Sequence, residues 1–213
     1  MSDAPPPPDP PWRVGTKRVP VAGVERELVE QFAAIDHAIY GSIATVPTPT
    51  LDRALAALSN AANYSVLWFS LAAGGALSGR HSLRRAALEG TVAIGVASAL
   101  VNQGAKRFAP RRRPDRIGLA VPEGRHVRMP SSTSFPSGHS ASAFAFASAA
   151  GTAAPVLSPP LHLLAALVAY SRVHTGVHYP GDVVVGSLIG MMSGQVVSGA
   201  TRRVRRSLDA RRR

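Results

Sequence analysis

One stretch decides the fold of this chain: residues 140–170 read SASAFAFASAAGTAAPVLSPPLHLLAALVAY and contain no Asp, Glu, Lys or Arg. Residues 140–157 are rich in alanine and other small residues, which let helices pack closely in lipid. Prolines at positions 155, 159 and 160 interrupt the pattern and predict a tight hairpin into a second helix. The stretch therefore predicts two adjacent apolar helices.

Three more apolar runs extend this pattern toward both ends of the chain. Residues 61–77 carry no charge, residues 86–105 carry only Glu89, and residues 183–200 carry none and place glycines four apart. Each run is near the lower limit for crossing about 30 Å of hydrocarbon. Because arginine-rich segments flank the runs, a soluble helical domain is the weaker alternative. We expect an all-α, membrane-embedded helical bundle with about five transmembrane helices.

The amino-terminal region has a different pattern. In residues 24–40, Leu28, Phe32, Ile35 and Ile39 recur at helical spacing among polar residues. This spacing predicts an amphipathic helix on the membrane surface or packed on the bundle, and residues 51–58 predict a second, shorter one. The domain division follows: a disordered proline-rich tail over residues 1–23, a membrane domain over residues 24–200 and a basic tail over residues 201–213.

Composition limits the kinds of site. The chain has no cysteine, so a disulfide framework and a thiolate metal site are both excluded. The formal charge of +12 is clustered, with eight Lys or Arg in residues 106–128 and seven arginines in residues 202–213. Such clusters suit anionic lipid headgroups and phosphorylated substrates as well as nucleic acid.

Three short strings stand at the ends of the apolar runs. They are Lys106 with Arg113-Pro114, then Pro136-Ser137-Gly138-His139, then Ser171-Arg172 with His178 and Asp182. If all five runs cross the membrane, the end of the second, the start of the third, the end of the fourth and the start of the fifth share one face. The spanning pattern therefore predicts that the three strings meet in one layer.

The strings carry the residue types of a phosphate site. Lys106, Arg113 and Arg172 can neutralise a phosphoryl group without a metal ion. The region of Ser137 and Gly138 offers small donors at a helix start. We expect no metal and no cofactor in this site.

Two histidines can divide the chemistry. His178 precedes Asp182 by four residues, and an aspartate that accepts from one ring nitrogen leaves the other free to attack phosphorus. A phosphohistidine intermediate would follow. His139 opens a helix, from which it can protonate the leaving oxygen.

The other basic and histidine residues have weaker functional signals. We expect the remaining arginines of the basic loop to contact lipid headgroups, namely Arg107, Arg111, Arg112, Arg116, Arg125 and Arg128. Packing or surface positions are expected for His37, His81, His126 and His162. His174 lies one helical turn before His178, where it can line the pocket without acting in the chemistry.

The three strings resemble the signature of the type 2 phosphatidic acid phosphatase superfamily, which also includes acid phosphatases and vanadium haloperoxidases. They match that signature at every position. The resemblance implies a helical bundle and metal-independent phosphatase activity. It also implies that His178 attacks phosphorus, Asp182 orients it and His139 protonates the leaving group. The phosphate-binding set implied is Lys106, Arg113, Ser137, Gly138 and Arg172.

Two stretches, residues 59–71 and 171–183, look most like actinobacterial members of the family. Small stand-alone members of that group are assigned to decaprenylphosphoryl-5-phosphoribose, a precursor of the arabinose donor of the mycobacterial cell wall. The resemblance thus implies a lipid-linked monoester as substrate, with membrane lipids and not nucleic acid as partners. A broad phosphatidic acid or polyprenyl diphosphate phosphatase, a vanadium haloperoxidase and a non-enzymatic membrane adaptor are the alternatives, and the oligomeric state stays open.

Charge also bears on sidedness. Short cytoplasmic loops tend to be rich in Lys and Arg. The loop with Arg80, Arg84 and Arg85 and the carboxy-terminal arginines fall on the face opposite the motifs. We therefore expect a multi-pass plasma membrane protein with an extracytoplasmic active site, although the equally basic loop of residues 106–128 weakens this argument. Many family members have six spans, so five leave the side of the amino terminus open.

Overall fold

The computed structural model describes residues 23–108 and 110–211. The expected proline-rich tail thus lies, apart from Gly23, outside the described residues. Within the described part the chain forms helices and no strand. The seven longer helices are α1 (Gly23–Thr45), α2 (Pro49–Ala61), α3 (Val66–Leu77), α4 (His81–Ala99), α5 (Gly138–Ala153), α6 (Ser158–His174) and α7 (Pro180–Arg211).

Helix α5 is the centre of the bundle and packs against α4, α6 and α7. Its alanines, among them Ala141, Ala145 and Ala149, are fully buried. The predicted hairpin is confirmed, because a 3-10 turn at Pro155–Leu157 joins α5 to α6. Small side chains let the neighbouring helices approach closely and leave little space around α5.

The glycine stripe of α7 packs on α5. A Cβ atom at Gly186 or Gly190 would collide with a backbone carbonyl oxygen at the start of α5 or within it, and one at Gly194 would lie 2.7 Å from the Cβ of Ser148. The sequence left open whether this stripe packs within the bundle or against a second copy. In the structure it packs within the bundle.

The first apolar run is not one continuous helix. Tyr64 and Ser65 adopt φ angles of 53° and 59°, so α2 ends before them and α3 begins after them. The 12 residues of α3 span about 18 Å at about 1.5 Å per residue. By length and composition, two described helical segments could cross a membrane, Pro155–His174 and Pro180–Arg211.

Helix α1 lies on the outside of the bundle and contacts α6 and α7. Its apolar residues Leu28, Phe32 and Ile35 are half to two-thirds exposed, whereas Asp36 and Tyr40 on the other face are buried. The helix is therefore amphipathic, as predicted. Its polar contacts point toward the bundle end that holds the three strings.

A long loop between α4 and α5 covers this end. It follows a π-helical segment, Leu100–Ala105, and one helical turn, Lys106–Phe108. Arg125 anchors the loop, because its Nε donates to the Oδ1 of Asp52 at 2.7 Å and its Nη1 to the carbonyl of Ile43 at 2.9 Å. The expectation that Arg125 contacts lipid headgroups is wrong, since this side chain is fully buried.

Candidate active site

The three strings meet at one end of the bundle, around a cavity of about 610 Å³. The loop before α5, the ends of α4 and α6 and the start of α7 supply them. From the predicted site set, the cavity lining includes Lys106, Arg113, Gly138, His139 and His178. Residues from distant parts of the sequence thus face a common space, as the spanning pattern predicts.

His178 and Asp182 form a buried pair. The Nδ1 of His178 lies 3.5 Å from the Oδ2 of Asp182, and the backbone N-H of Tyr179 donates to the same oxygen at 2.9 Å. The other ring nitrogen, Nε2, lies 3.3 Å from Nη1 of Arg113, on the cationic side of the cavity. The two nitrogens therefore have different surroundings, one acidic and one cationic.

The electrostatics favour a neutral His178. Burial lowers its pKa to about 4, and the charges of Arg113 and Arg172 act in the same direction while Asp182 opposes them. A neutral imidazole carries the lone pair that a nucleophile needs. At neutral pH the ring is therefore already in the form that can attack phosphorus.

Two residues beside this pair were missed by the sequence reasoning. The Oγ of Ser134 donates to Asp182 Oδ2 and lies 3.4 Å from His178 Nδ1. The Nη1 of Arg111 lies 3.0 Å from Asp182 Oδ1 and 2.6 Å from Asp36 Oδ2. Arg111 is therefore held between two carboxylates, and the expectation that it contacts lipid headgroups is wrong.

Lys106 and Arg113 are fixed by the loop before α5. Lys106 Nζ donates to the Oγ of Ser132 at 3.2 Å, and Arg113 donates to the Ser132 carbonyl at 3.1 Å and to the Val177 carbonyl at 2.8 Å. Burial lowers the pKa of Arg113 to about 10, so it stays protonated at neutral pH. Burial, with the charge of Arg113, also lowers the pKa of Lys106. Two cations thus approach the cavity from fixed positions.

Arg172 has unused hydrogen-bonding capacity. Its side chain is fully buried, and its Nη1 donates to the carbonyl and to the Oγ of Ser59, at 3.0 Å and 2.5 Å. Its Nε and Nη2 have no partner among the described residues. Because an unpaired buried guanidinium is costly, these donors indicate a site for an anion. Ser59 belongs to α2, and nothing in the motif spacing marks it.

Ser137 starts α5 and links two of the strings. Its Oγ accepts from the backbone N-H of Ser140 at 3.3 Å, and its own N-H donates to the Asp182 carbonyl at 2.9 Å. The Ser137 side chain is therefore engaged as a helix cap. Gly138 and His139 follow it and line the cavity, at the end of the helix where partial positive charge favours an anion.

Three other residues considered from the sequence lie away from the cavity. His174 is buried and its Nε2 lies 2.8 Å from Asp52 Oδ1, so it supports the anchored loop. His162 contacts Ser158 beside the α5 to α6 hairpin. Arg116 donates to the Val127 carbonyl at 3.0 Å, within the loop, and so differs from the lipid-facing position expected for it.

A buried His and Asp pair beside fixed cations, at one end of the helical bundle, is the kind of site that can transfer a phosphoryl group through a histidine. The sequence profile of the PAP2 superfamily matches residues 87–206. The chain is 35% identical over 159 residues to the decaprenylphosphoryl-5-phosphoribose phosphatase of Mycobacterium tuberculosis (strain CDC 1551 / Oshkosh), covering 72% of this chain and 82% of that protein. Identity to the Mycolicibacterium smegmatis protein of the same name is 39% over 138 residues, covering 61% and 68%.

Solved structures show the same fold. Aquifex aeolicus LpxE aligns with a TM-score of 0.61 and 27% identity, covering 75% of this chain and 92% of that one. The PAP2-type phosphatidylglycerolphosphate phosphatase of Bacillus subtilis aligns with a TM-score of 0.63 and 24% identity, covering 82% and 88%. The chain belongs to the PAP2 superfamily. It is a membrane-embedded lipid phosphatase, which confirms the predicted fold class and enzyme class.

Proposed function

We propose that this chain hydrolyses the phosphate monoester of decaprenylphosphoryl-5-phosphoribose and releases decaprenylphosphoryl-ribose. The names of the mycobacterial relatives, at 35% and 39% identity, support this substrate. Two observations carry the chemistry: His178 lies beside Arg113 at the cavity, and the fully buried Arg172 keeps two donors unpaired among the described residues. An anionic phosphate monoester complements both features.

In the first step, Nε2 of His178 attacks phosphorus. The P-N bond forms as the P-O bond to the leaving ribose oxygen breaks, and His139 gives a proton to that oxygen. Asp182 and Ser134 stand beside Nδ1 and hold the imidazole so that Nε2 faces the cavity. The carboxylate also stabilises positive charge on the ring as the P-N bond forms.

In the second step, water attacks the phosphohistidine. His139, now neutral, takes a proton from the water, the P-N bond breaks, and inorganic phosphate and neutral His178 are restored. In both steps, the positive charges of Lys106, Arg113 and Arg172 offset the negative charge on the phosphoryl oxygens. The residues in these roles need no metal ion or cofactor.

The test is phosphate release by purified protein in detergent with EDTA, using His178→Ala as the blank. The substrates are decaprenylphosphoryl-5-phosphoribose, phosphatidic acid and a polyprenyl diphosphate. We expect the first to be hydrolysed fastest and the rate to be unchanged by EDTA. Equal turnover of all three contradicts the assigned substrate and indicates a broad lipid phosphatase. Loss of activity in EDTA, restored by one divalent ion, contradicts the metal-independent mechanism.

We also propose that the protein lies in the plasma membrane with its active site on the extracytoplasmic face. Arginines at the start of α4 and at the end of α7 support this orientation, because they lie at the bundle end opposite the cavity. Basic residues beside membrane spans are typical of the cytoplasmic side. The substrate would then be hydrolysed from the outer leaflet.

A further inference from the structure

His139 contacts a residue outside the three strings. Its Nε2 lies 3.0 Å from Oδ1 of Asn63, in the turn between α2 and α3. The Nδ2 of Asn63 donates to Oδ1 of Asn60 at 3.4 Å, so the amide presents its nitrogen to Asn60 and its oxygen to the histidine. With the amide in this orientation its oxygen accepts, and we assign the hydrogen of this contact to Nε2 of His139.

The turn that holds Asn63 has an unusual backbone. Tyr64 and Ser65 both occupy the left-handed region, at φ 53° and 59°, where residues other than glycine are uncommon. Both residues line the cavity together with His139 and His178. Such conformations persist where the surrounding structure enforces them, and they cluster at functional sites. The turn thus combines strained backbone with a direct contact to a candidate catalytic residue.

We propose that Asn63 is the positioning residue of His139, and that the proton given to the leaving oxygen comes from Nδ1. This inference rests on the proposed function, in which His139 is the general acid. As the P-N bond to His178 forms and the P-O bond breaks, the Nδ1 proton moves to the leaving alkoxide. The other proton stays on Nε2 of His139, which donates a hydrogen bond to Oδ1 of Asn63. In the second step Nδ1 accepts a proton from the attacking water.

The charges around His139 decide when it carries its second proton. Burial lowers its pKa to about 2, and the nearby charges of Arg172, Arg113 and Lys106 act in the same direction. A bound phosphate dianion offsets those cations and favours the charged ring. We therefore expect His139 to take its second proton, on Nδ1, from solvent as the substrate phosphate binds.

An amide suits this position better than a carboxylate. His139 must gain a proton with the substrate and release it during the first step. A neutral acceptor orients the ring and supports its charged form without holding the proton as firmly as an anion would. The two histidines therefore have matched partners, a carboxylate for the nucleophile and an amide for the acid.

The experiment compares leaving groups. An alkoxide needs a proton as it leaves, whereas an aryloxide such as 4-nitrophenolate needs much less help. We expect Asn63→Ala to lower kcat/KM, which reports the first step and not the later attack of water, about 10- to 100-fold on decaprenylphosphoryl-5-phosphoribose and on phosphatidic acid, and less than about threefold on 4-nitrophenyl phosphate. Asn63→Asp, which keeps an acceptor at the same place, should recover part of the alkyl phosphate turnover.

His139→Ala separates this inference from the proposed function. If His139→Ala and Asn63→Ala both lower kcat/KM selectively for the alkyl phosphates, the inference stands. If only His139→Ala is selective, Asn63 is not its positioning residue and the proposed acid remains. If His139→Ala lowers kcat/KM equally for both substrate types, the acid role itself is wrong, and the inference fails with it.

Vanadate inhibition provides the control for folding. Vanadate mimics phosphate and reports the cations of the pocket, none of which shares a described hydrogen bond with Asn63. We expect Asn63→Ala to keep its vanadate inhibition constant within about twofold of the wild type. A parallel loss of vanadate affinity and of both activities shows that Asn63 only maintains the fold, and overturns the inference.

Discussion

At the scale of single residues, the proposed mechanism depends most on His178. Replacing it with alanine removes the nucleophile, so we expect phosphate release to fall to the background rate. Asp182→Asn keeps the shape of the side chain but loses the charge that orients and stabilises the ring, and we expect kcat to fall by about 10²- to 10⁴-fold. Both are measured as initial rates of phosphate release. Near-normal rates in either folded variant contradict the phosphohistidine mechanism.

The acid side of the pH profile tests the burial of His178. In the proposed mechanism the neutral ring is the reactive form, and its pKa is lowered from 6.5 to about 4. Protonation of His178 therefore lowers the rate only when the pH drops through this lowered pKa. We expect the resulting decrease of kcat/KM to occur near pH 4. The measurement is kcat/KM across a pH series with the most rapidly hydrolysed substrate. If protonation of His178 instead makes kcat/KM fall near pH 6.5, the usual pKa of histidine, the nucleophile is exposed to water.

Motif spacing in the sequence identified some of the candidate site residues and missed others. The two groups differ in how they act. Lys106, His139 and His178 were predictable because their chemistry follows from residue type and from their position at helix ends. Ser134 and Asn63 were not predictable, since each acts through a contact with a residue far along the chain. Such contacts depend on loop and turn geometry, which residue spacing does not encode.

At the scale of the helices, glycine substitutions in α7 test how closely α7 packs against α5. Gly190 lies against the backbone of α5, where an added Cβ would collide with the Ala141 carbonyl, whereas Gly199 on the same helix has open space. We expect Gly190→Ala to destabilise the bundle by about 1–3 kcal/mol through overpacking. Gly199→Ala should be neutral or slightly stabilising, because alanine favours the helix. Thermal unfolding in detergent measures both, and equal Tm values argue against the close contact.

Most helices were predictable because uncharged runs and proline breaks mark them in the sequence. The break at Tyr64 and Ser65 was not, since neither residue is a usual helix breaker and residue type alone does not indicate their positive φ angles. The helical state of residues 201–211 was also not expected, because arginine runs are typical of solvated tails. Their helix continues α7 without interruption.

At the scale of the whole molecule, the bundle places its charge at both ends. The site end carries the cations of the cavity, and the other end carries Arg80, Arg84 and the arginines at the end of α7. The proposed catalysis accounts for several cations at the site end, whereas the arginines at the other end lie away from the cavity. The sidedness rule therefore applies most directly to that second group, and it predicts that this end is cytoplasmic.

The absence of cysteine makes this orientation measurable with single-cysteine variants. Ser82 at the start of α4 and Glu123 in the loop over the site are both exposed and belong to opposite ends of the bundle. In intact cells, a membrane-impermeant maleimide should label Glu123→Cys and not Ser82→Cys, and permeabilised cells should allow labelling of both. Retained phosphatase activity in each variant controls for folding. Labelling of Ser82→Cys alone in intact cells reverses the proposed sidedness and places hydrolysis at the cytoplasmic face, where the substrate would have to be presented from within the cell.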